Sequence, residues 1–195
     1  FTIDGAVVQI PLPGRGSLEN ALAAWAVCSR LGLSAEDFAR ALGTIPAIPM
    51  RAELLQAGAL TIINDCYNAN PASMRNALEI LASLDLAGMT RRRVLICGDM
   101  AELGDQSRQL HAELGPDVAR AGVGLVLTVG ELARVIAASA AQAADHEIQT
   151  ESFNDAGELC NNLKKFIQDT DIVLVKGSRI NRLESVVEKL TELFS

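Results

Sequence analysis

The sequence predicts an α/β fold, a Rossmann-like and mainly parallel sheet with helices on both faces. Two observations carry that prediction. Short apolar runs recur at 60–63, 94–97, 125–129 and 172–175, with a weaker one at 147–150, and segments of helical period separate them. The runs are nearly continuous in apolar residues rather than alternating, which is the pattern of strands covered on both faces.

Ahead of these runs, "FTIDGAVVQIPLPG" alternates enough for two short strands around Asp4-Gly5. In "SLENALAAWAVCSRLG", Leu18, Leu22, Trp25, Ala26 and Leu31 recur at helical spacing, and Gly32 stops the helix. Ser34 with Asp37 reads as the cap of a second helix over 35–42. "GTIPAIPM" then carries one glycine and two prolines, so a domain boundary is set within 47–50, dividing 1–48 from 49–195. Beyond it, helices are predicted over 71–84, 107–121, 131–141, 156–168 and 182–193. The alanine-rich stretch 137–144 is read as a helix end, and there is no internal repeat.

Composition narrows the class. A chain of 195 residues, 49% hydrophobic and 21% charged, fits a soluble globular protein. No apolar run approaches the roughly 20 residues of a membrane helix, so no membrane span and a cytoplasmic location are expected. No signal peptide or initiator Met precedes Phe1, so the chain is expected to be a fragment or a processed piece. A formal net charge of -7 argues against a nucleic-acid partner, which needs a basic face. Cys28, Cys66, Cys97 and Cys160 are far apart with no C-x-x-C pair. They read as buried thiols, and no metal site is expected from them.

In an open parallel sheet, ligands bind beyond the carboxyl ends of the strands. The segments that follow four of the strands are "NDCYNANP", "GDMAELGD", "GE" and "KGSR". They are expected to converge on one rim and suit a charged polar ligand. Several of these residues have a plainer reading as well. Asn70 before Pro71 is a good helix cap. Asp65 could make a turn, Gly98-Asp99 a strand-to-loop turn, and Glu102 could be a solvated charge. His111 reads as structural, and the basic run 91–93 reads as a solvated strand start. The chain has no G-x-x-x-x-G-K-[ST] phosphate loop and no G-x-G-x-x-G after its first long strand, so neither a P-loop nor NAD is implied.

"NDCYNANPASMRNAL" closely resembles the D-x-Y-N-A-N-P-x-S-M signature of the UDP-N-acetylmuramoyl-tripeptide–D-alanyl-D-alanine ligases (MurF). "CGDMAELGD" resembles that family's L-G-D-M-x-E-L-G segment, and "LVLTVG" and "VLVKGSR", with Glu184 beyond, resemble its later segments in order. The resemblance implies a Mur ligase C-terminal domain over 49–195, preceded in 1–48 by the closing segment of a central ATP-binding domain. In that segment "PLPGRGSLENALAA" is similar to G-x-H-N-x-x-N-A-L-A-A, but Gly16 and Ser17 replace the His and the first Asn.

The implied reaction joins the amine of D-alanyl-D-alanine to the terminal carboxylate of UDP-MurNAc-tripeptide through an acyl phosphate, with ATP and Mg²⁺. Catalytic residues would lie upstream of Phe1, so the chain alone is expected to be inactive. The resemblance assigns Asn20, Arg51, Asp65, Tyr67 and Asn68 to the nucleotide. It assigns Asn70, Asp99, Glu102, Lys176, Ser178 and Arg179 to the amine substrate. Asp65 would hold the ribose hydroxyls, and Arg179 suits a peptide carboxylate. A monomer is expected. Two other readings stand beside this one: a non-catalytic nucleotide- or peptide-binding module, and another amide ligase of the Mur superfamily, such as a cyanophycin-type enzyme.

Overall fold

The computed structural model describes residues 1–46, 48–84 and 91–195. The chain forms two compact units, Phe1–Ile48 and Pro49–Ser195. Ala47, inside the expected boundary, lies outside the described residues.

In the first unit, β1 (Thr2–Ile3) and β2 (Ala6–Val7) pair antiparallel across Asp4-Gly5. Both turn residues have positive φ, 45° and 87°, as a two-residue turn that matches strand twist requires. Helix α1 (Arg15–Arg30) and helix α2 (Ala35–Leu42) follow. The Ser34 hydroxyl accepts the Asp37 N–H at 3.1 Å, so the cap expected from sequence forms. Ile3, Val8, Ala21, Phe38 and Leu42 make a small core, against which Trp25 packs with its ring 5.2 Å from that of Phe38.

The second unit is built on six strands: β3 (Glu53–Ala57), β4 (Leu60–Asp65), β5 (Arg93–Gly98), β6 (Val123–Val129), β7 (Gln149–Phe153) and β8 (Ile172–Lys176). Their order is β3-β4-β8-β5-β6-β7, and all are parallel except edge strand β3. The helices are α3 (Pro71–Ser83), α4 (Ser107–Ala112), α5 (Gly115–Arg120), α6 (Ala133–Ala143), α7 (Ala156–Phe166) and α8 (Glu184–Phe194).

The order dictates where the helices go. From β4 to β7 the chain steps toward one edge of the sheet, and from β7 to β8 it steps back. Right-handed crossovers therefore put α3 to α6 on one face and α7 on the other. Two cores result. Met74, Leu78, Val118 and Ile136 pack with Ile63, Leu95 and Leu174 on the first face. Leu159, Leu163, Val186 and Leu190 pack with Ile62, Val94 and Val173 on the second. Neighbouring strand residues serve opposite faces, as the two-residue period of a strand demands. The Rossmann-like sheet expected from sequence is thus present.

Three details depart from the prediction. Strand β3 was not foreseen, because "ELLQA" is half exposed and too short to show a period. The helix expected over 107–121 is broken in two. Pro116 has no N–H to give the Ala112 carbonyl four residues back, and the Ser139 hydroxyl donates to that carbonyl instead, at 2.8 Å. The basic run is not simply solvated. Arg91 donates to the carbonyls of Ala59, Thr170 and Asp171, and Arg92 forks onto the buried Asp171 carboxylate at 2.9 and 2.6 Å. Those bonds clasp the amino-terminal ends of the central strands.

Candidate functional site

Strand β8 leaves the sheet toward α8 on one face, while its neighbours β4 and β5 leave toward α3 and α4 on the other. Adjacent strands that exit in opposite directions open a crevice at their carboxyl ends. A cleft of about 690 Å³ lies there, lined by Tyr67 and Asn68 after β4, Ala101 and Glu102 after β5, and Ser178, Arg179 and Ile180 after β8. Three of the four segments expected to converge thus line one cleft. The fourth, Gly130-Glu131, does not line it.

Beneath the cleft lies a buried ion pair. Lys176, the last residue of β8, donates from Nζ to Asp65 Oδ2 at 2.6 Å and to the Asn68 carbonyl at 3.0 Å. The side chains are 2% and 13% exposed, so solvent screens the pair little. Burial pushes the Lys176 ammonium below its ordinary value, the Asp65 carboxylate opposes that shift, and the Arg51 charge adds to it. The other Asp65 oxygen accepts the Ala52 N–H at 3.1 Å. Ala52 sits at φ 50°, a left-handed conformation that this bond helps to hold. Arg51, one residue earlier, lays its guanidinium 4.4 Å from the Tyr67 ring centroid, and Arg179 approaches the same ring at 5.9 Å.

Asn70 is committed to the backbone. Its side chain accepts the Ser73 N–H at 2.8 Å, and Ser73 Oγ accepts the Asn70 N–H at 3.0 Å, a complete capping box for α3 with Pro71 at its start. Asn70→Ala is expected to lower stability by about 1 kcal/mol, read as a shifted urea midpoint at unchanged slope. A midpoint equal to the parent's would remove the cap from the account. Asn68 is exposed, and its Oδ1 accepts the Ala69 N–H at 2.8 Å.

The remaining expected residues fall in different places. Asp99 turns away from the cleft, and its Oδ1 accepts the Ala133 N–H at 2.7 Å in the first turn of α6. Ser178 lines the cleft yet is only 3% exposed, and its hydroxyl accepts from the Ala101 N–H at 2.8 Å. Glu102 stands on the cleft wall at φ 64°. Asn20 is exposed on α1 of the first unit. His111 is fully buried. Its Nε2 accepts the Met100 N–H at 2.9 Å and its Nδ1 lies 2.6 Å from the Ser107 carbonyl, so the ring holds the loop after β5.

One residue that shapes the site was missed. Asn181 accepts the Asp99 N–H at 3.2 Å and donates to the Asp99 and Ser178 carbonyls at 2.8 and 2.9 Å, stitching the loops after β5 and β8 together. Gly98 allows this approach, since a Cβ there would lie 2.4 Å from Asn181 Cγ. A lone Asn in a loop gives no sequence signal for such a role. Cys66 and Cys97 offer no nucleophile near neutral pH, since burial pushes them up to about 11 and about 12; Cys28 and Cys160, expected to be buried, are only half-buried.

The family described as Mur ligase, glutamate ligase domain, matches residues 50–179, a span that runs from Met50 beside Arg51 through the three segments lining the cleft. The chain belongs to the Mur ligase family. It is 37% identical over 188 residues to the UDP-N-acetylmuramoyl-tripeptide–D-alanyl-D-alanine ligase of Escherichia coli, covering 95% of this chain and 39% of that protein. To the ligase of the same description from Bacillus subtilis it is 34% identical over 195 residues, covering 98% and 42%. A crystal structure of MurF from Acinetobacter baumannii superposes with a TM-score of 0.81 at 31% identity, over 96% of this chain and 40% of that one. The chain thus spans about two fifths of the Mur ligases it matches.

Proposed function

We propose that the chain is the C-terminal part of an ATP-dependent ligase that adds D-alanyl-D-alanine to UDP-MurNAc-tripeptide. Residues 1–48 belong to the end of its central ATP-binding domain and 49–195 form its C-terminal domain. The observation that carries this reading is a pair of guanidiniums on the Tyr67 ring, Arg179 on the wall of the cleft at the switch point of the sheet and Arg51 stacked on that ring beside it. Neither has an ion-pair partner among the described residues. Two uncompensated cations in a chain of net charge -7 suit two anionic groups.

ATP, when bound, supplies the phosphoryl group that activates the tripeptide carboxylate. The residues of this chain bind and orient. Arg51 takes the nucleotide phosphates. Asp65 retains free lone pairs for ribose hydroxyls beyond the two bonds it already accepts, and Lys176 holds it in place. Arg179 forks onto the dipeptide carboxylate, with Asn68 and Glu102 on the cleft wall beside it. Among the described residues, no group of three or more His, Cys, Asp or Glu could hold a metal ion. Mg²⁺, which needs only one or two carboxylates beside the nucleotide phosphates, would be held mainly by the domain upstream, and no step here runs through it. No helix among the described residues is long and apolar enough to cross a membrane, and the ligase is taken to act as a cytoplasmic monomer.

The test is phosphate release by the full-length protein given ATP, UDP-MurNAc-tripeptide and D-alanyl-D-alanine. Release is expected only when all three are present, and none is expected from residues 1–195 alone. Asn68→Ala in the full-length protein should reduce kcat/KM at least about tenfold, equivalent to about 1.4 kcal/mol of transition-state binding, with a nearly unchanged melting temperature. Turnover by the isolated chain, or an Asn68→Ala protein that melts early and works normally, defeats the reading.

A further inference from the structure

We propose that Tyr67 is a positioning residue that couples the two anionic ligands of the cleft, so that a nucleotide phosphate at Arg51 and a peptide carboxylate at Arg179 each strengthen binding of the other. The inference rests on the ligase reading and goes beyond it, since that reading needs only two independent sites.

The geometry supplies the link. Tyr67 is 44% exposed, and two guanidiniums share its ring, at 4.4 and 5.9 Å from the centroid. Each such contact is attractive, the ring face drawing the cation. The two charges therefore lie within roughly 10 Å of each other, about one Debye length at 0.1 M salt, and repel. The buried Lys176 ammonium adds a third positive charge close enough to feel Arg51. The backbone that carries the ring is tethered on both sides. Its backbone N–H donates to the Met50 carbonyl at 3.3 Å, and the next residue is held through its carbonyl by Lys176. The arginines come from different places, one from the segment before β3 and one from the turn after β8. Among the described residues, Tyr67 is the side chain whose ring meets both.

An anion on one guanidinium has two effects on the other. It cancels repulsion, and it leaves the second arginine the better-placed partner of the ring, fixed in the direction of its own ligand. Both effects have the same sign, so coupling is positive and, as binding free energies require, reciprocal. With the ring removed, each arginine keeps its charge but loses the common support that sets its position.

The experiment measures ADP and D-alanyl-D-alanine binding to the full-length protein by calorimetry, each with and without a saturating amount of the other, at 0.05 and 0.5 M salt. In the parent, each ligand should tighten the other by about fivefold or more, and high salt should weaken the effect. Tyr67→Phe keeps the ring and should keep the factor. Tyr67→Leu should bring it to near one in both directions, whatever the affinity of each ligand alone. Arg51→Met should also abolish the dipeptide's response to ADP. A parent factor of one, or an undiminished factor in Tyr67→Leu, overturns the proposal and leaves the ligase reading standing. A parent that binds neither ligand overturns the ligase reading and the coupling with it.

Discussion

Lys176→Met is expected to destabilise the second unit by about 3–5 kcal/mol, the usual result of leaving a buried charge without its partner. Lys176 Nζ contacts the Asp65 carboxylate at 2.6 Å and the Asn68 carbonyl at 3.0 Å, and neither member of the ion pair is well solvated. Methionine keeps the length of the side chain but leaves Asp65 with only the Ala52 N–H on its other oxygen. The double variant Lys176→Met/Asp65→Asn should recover most of the loss, because a buried pair replaced as a pair is often close to neutral. A pH dependence follows too. Burial lowers the Lys176 pKa in the fold below the ordinary 10.5. Between the two values the unfolded chain still binds a proton that the folded chain has released. This group's contribution to stability therefore rises with pH across that alkaline window, and Lys176→Met should remove the rise. Urea melts of the parent and both variants from neutral to alkaline pH measure all of this. A single variant as stable as the parent would mean that the pair is not a structural unit.

Gly130→Ala is expected to cost about 2–4 kcal/mol. Gly130 has φ 103°, outside the range that L residues ordinarily adopt, and strain of that kind costs roughly 1–3 kcal/mol. Space is also lacking: a Cβ there would lie 2.6 Å from Asp99 Cγ and Oδ1. The Asp99 carboxylate cannot retreat without giving up the Ala133 N–H, and a lost helix cap adds about 1 kcal/mol. Because Asp99 also ties through its backbone to Asn181 and Ser178, the disturbance should reach the cleft. Gly58→Ala is not a useful control, since its Cβ would meet the Phe194 carbonyl at 2.5 Å. Gly104 is better: it also has positive φ, 60°, but nothing lies within 4 Å of its Cβ position. Gly104→Ala should therefore show the conformational cost alone. Equal losses at Gly130 and Gly104 would refute the steric part of the account.

The sheet was legible because each core strand is covered on both faces, and its apolar run is therefore nearly unbroken, as in "LTIIN" and "IVLV". The α3 cap was legible because Asn-Pro states a local requirement of the helix start. What sequence could not supply was the partner of each polar group. Asp65 and Lys176 are 111 residues apart, yet they adjoin because β4 and β8 are neighbours in register. Asp99 looked like a cleft residue because it follows a strand, but its side chain serves the helix after the next strand. Lys176 was expected to face the amine substrate, and it is almost wholly buried against Asp65. Each of these depends on strand order, which no short motif encodes. Strand β3 was missed for the reverse reason, as an edge strand with one open face carries little apolar signal.

The place of β8 in the sheet also bears on how the protein acquires its shape. The last strand in sequence among those described lies between β4 and β5, which do not pair with each other. Until β8 arrives, the nascent chain can form only a β3-β4 hairpin and a separate β5-β6-β7 ribbon, each with an open edge. Both edges are templates for wrong partners while they wait. Closing the gap requires pairing residues 79 positions apart on the β5 side and 111 apart on the β4 side, the kind of contact that slows folding most. Synthesis of the second unit should therefore end in a single late zipping event. The cleft, with its buried lysine, comes into existence only at that moment and not by gradual refinement.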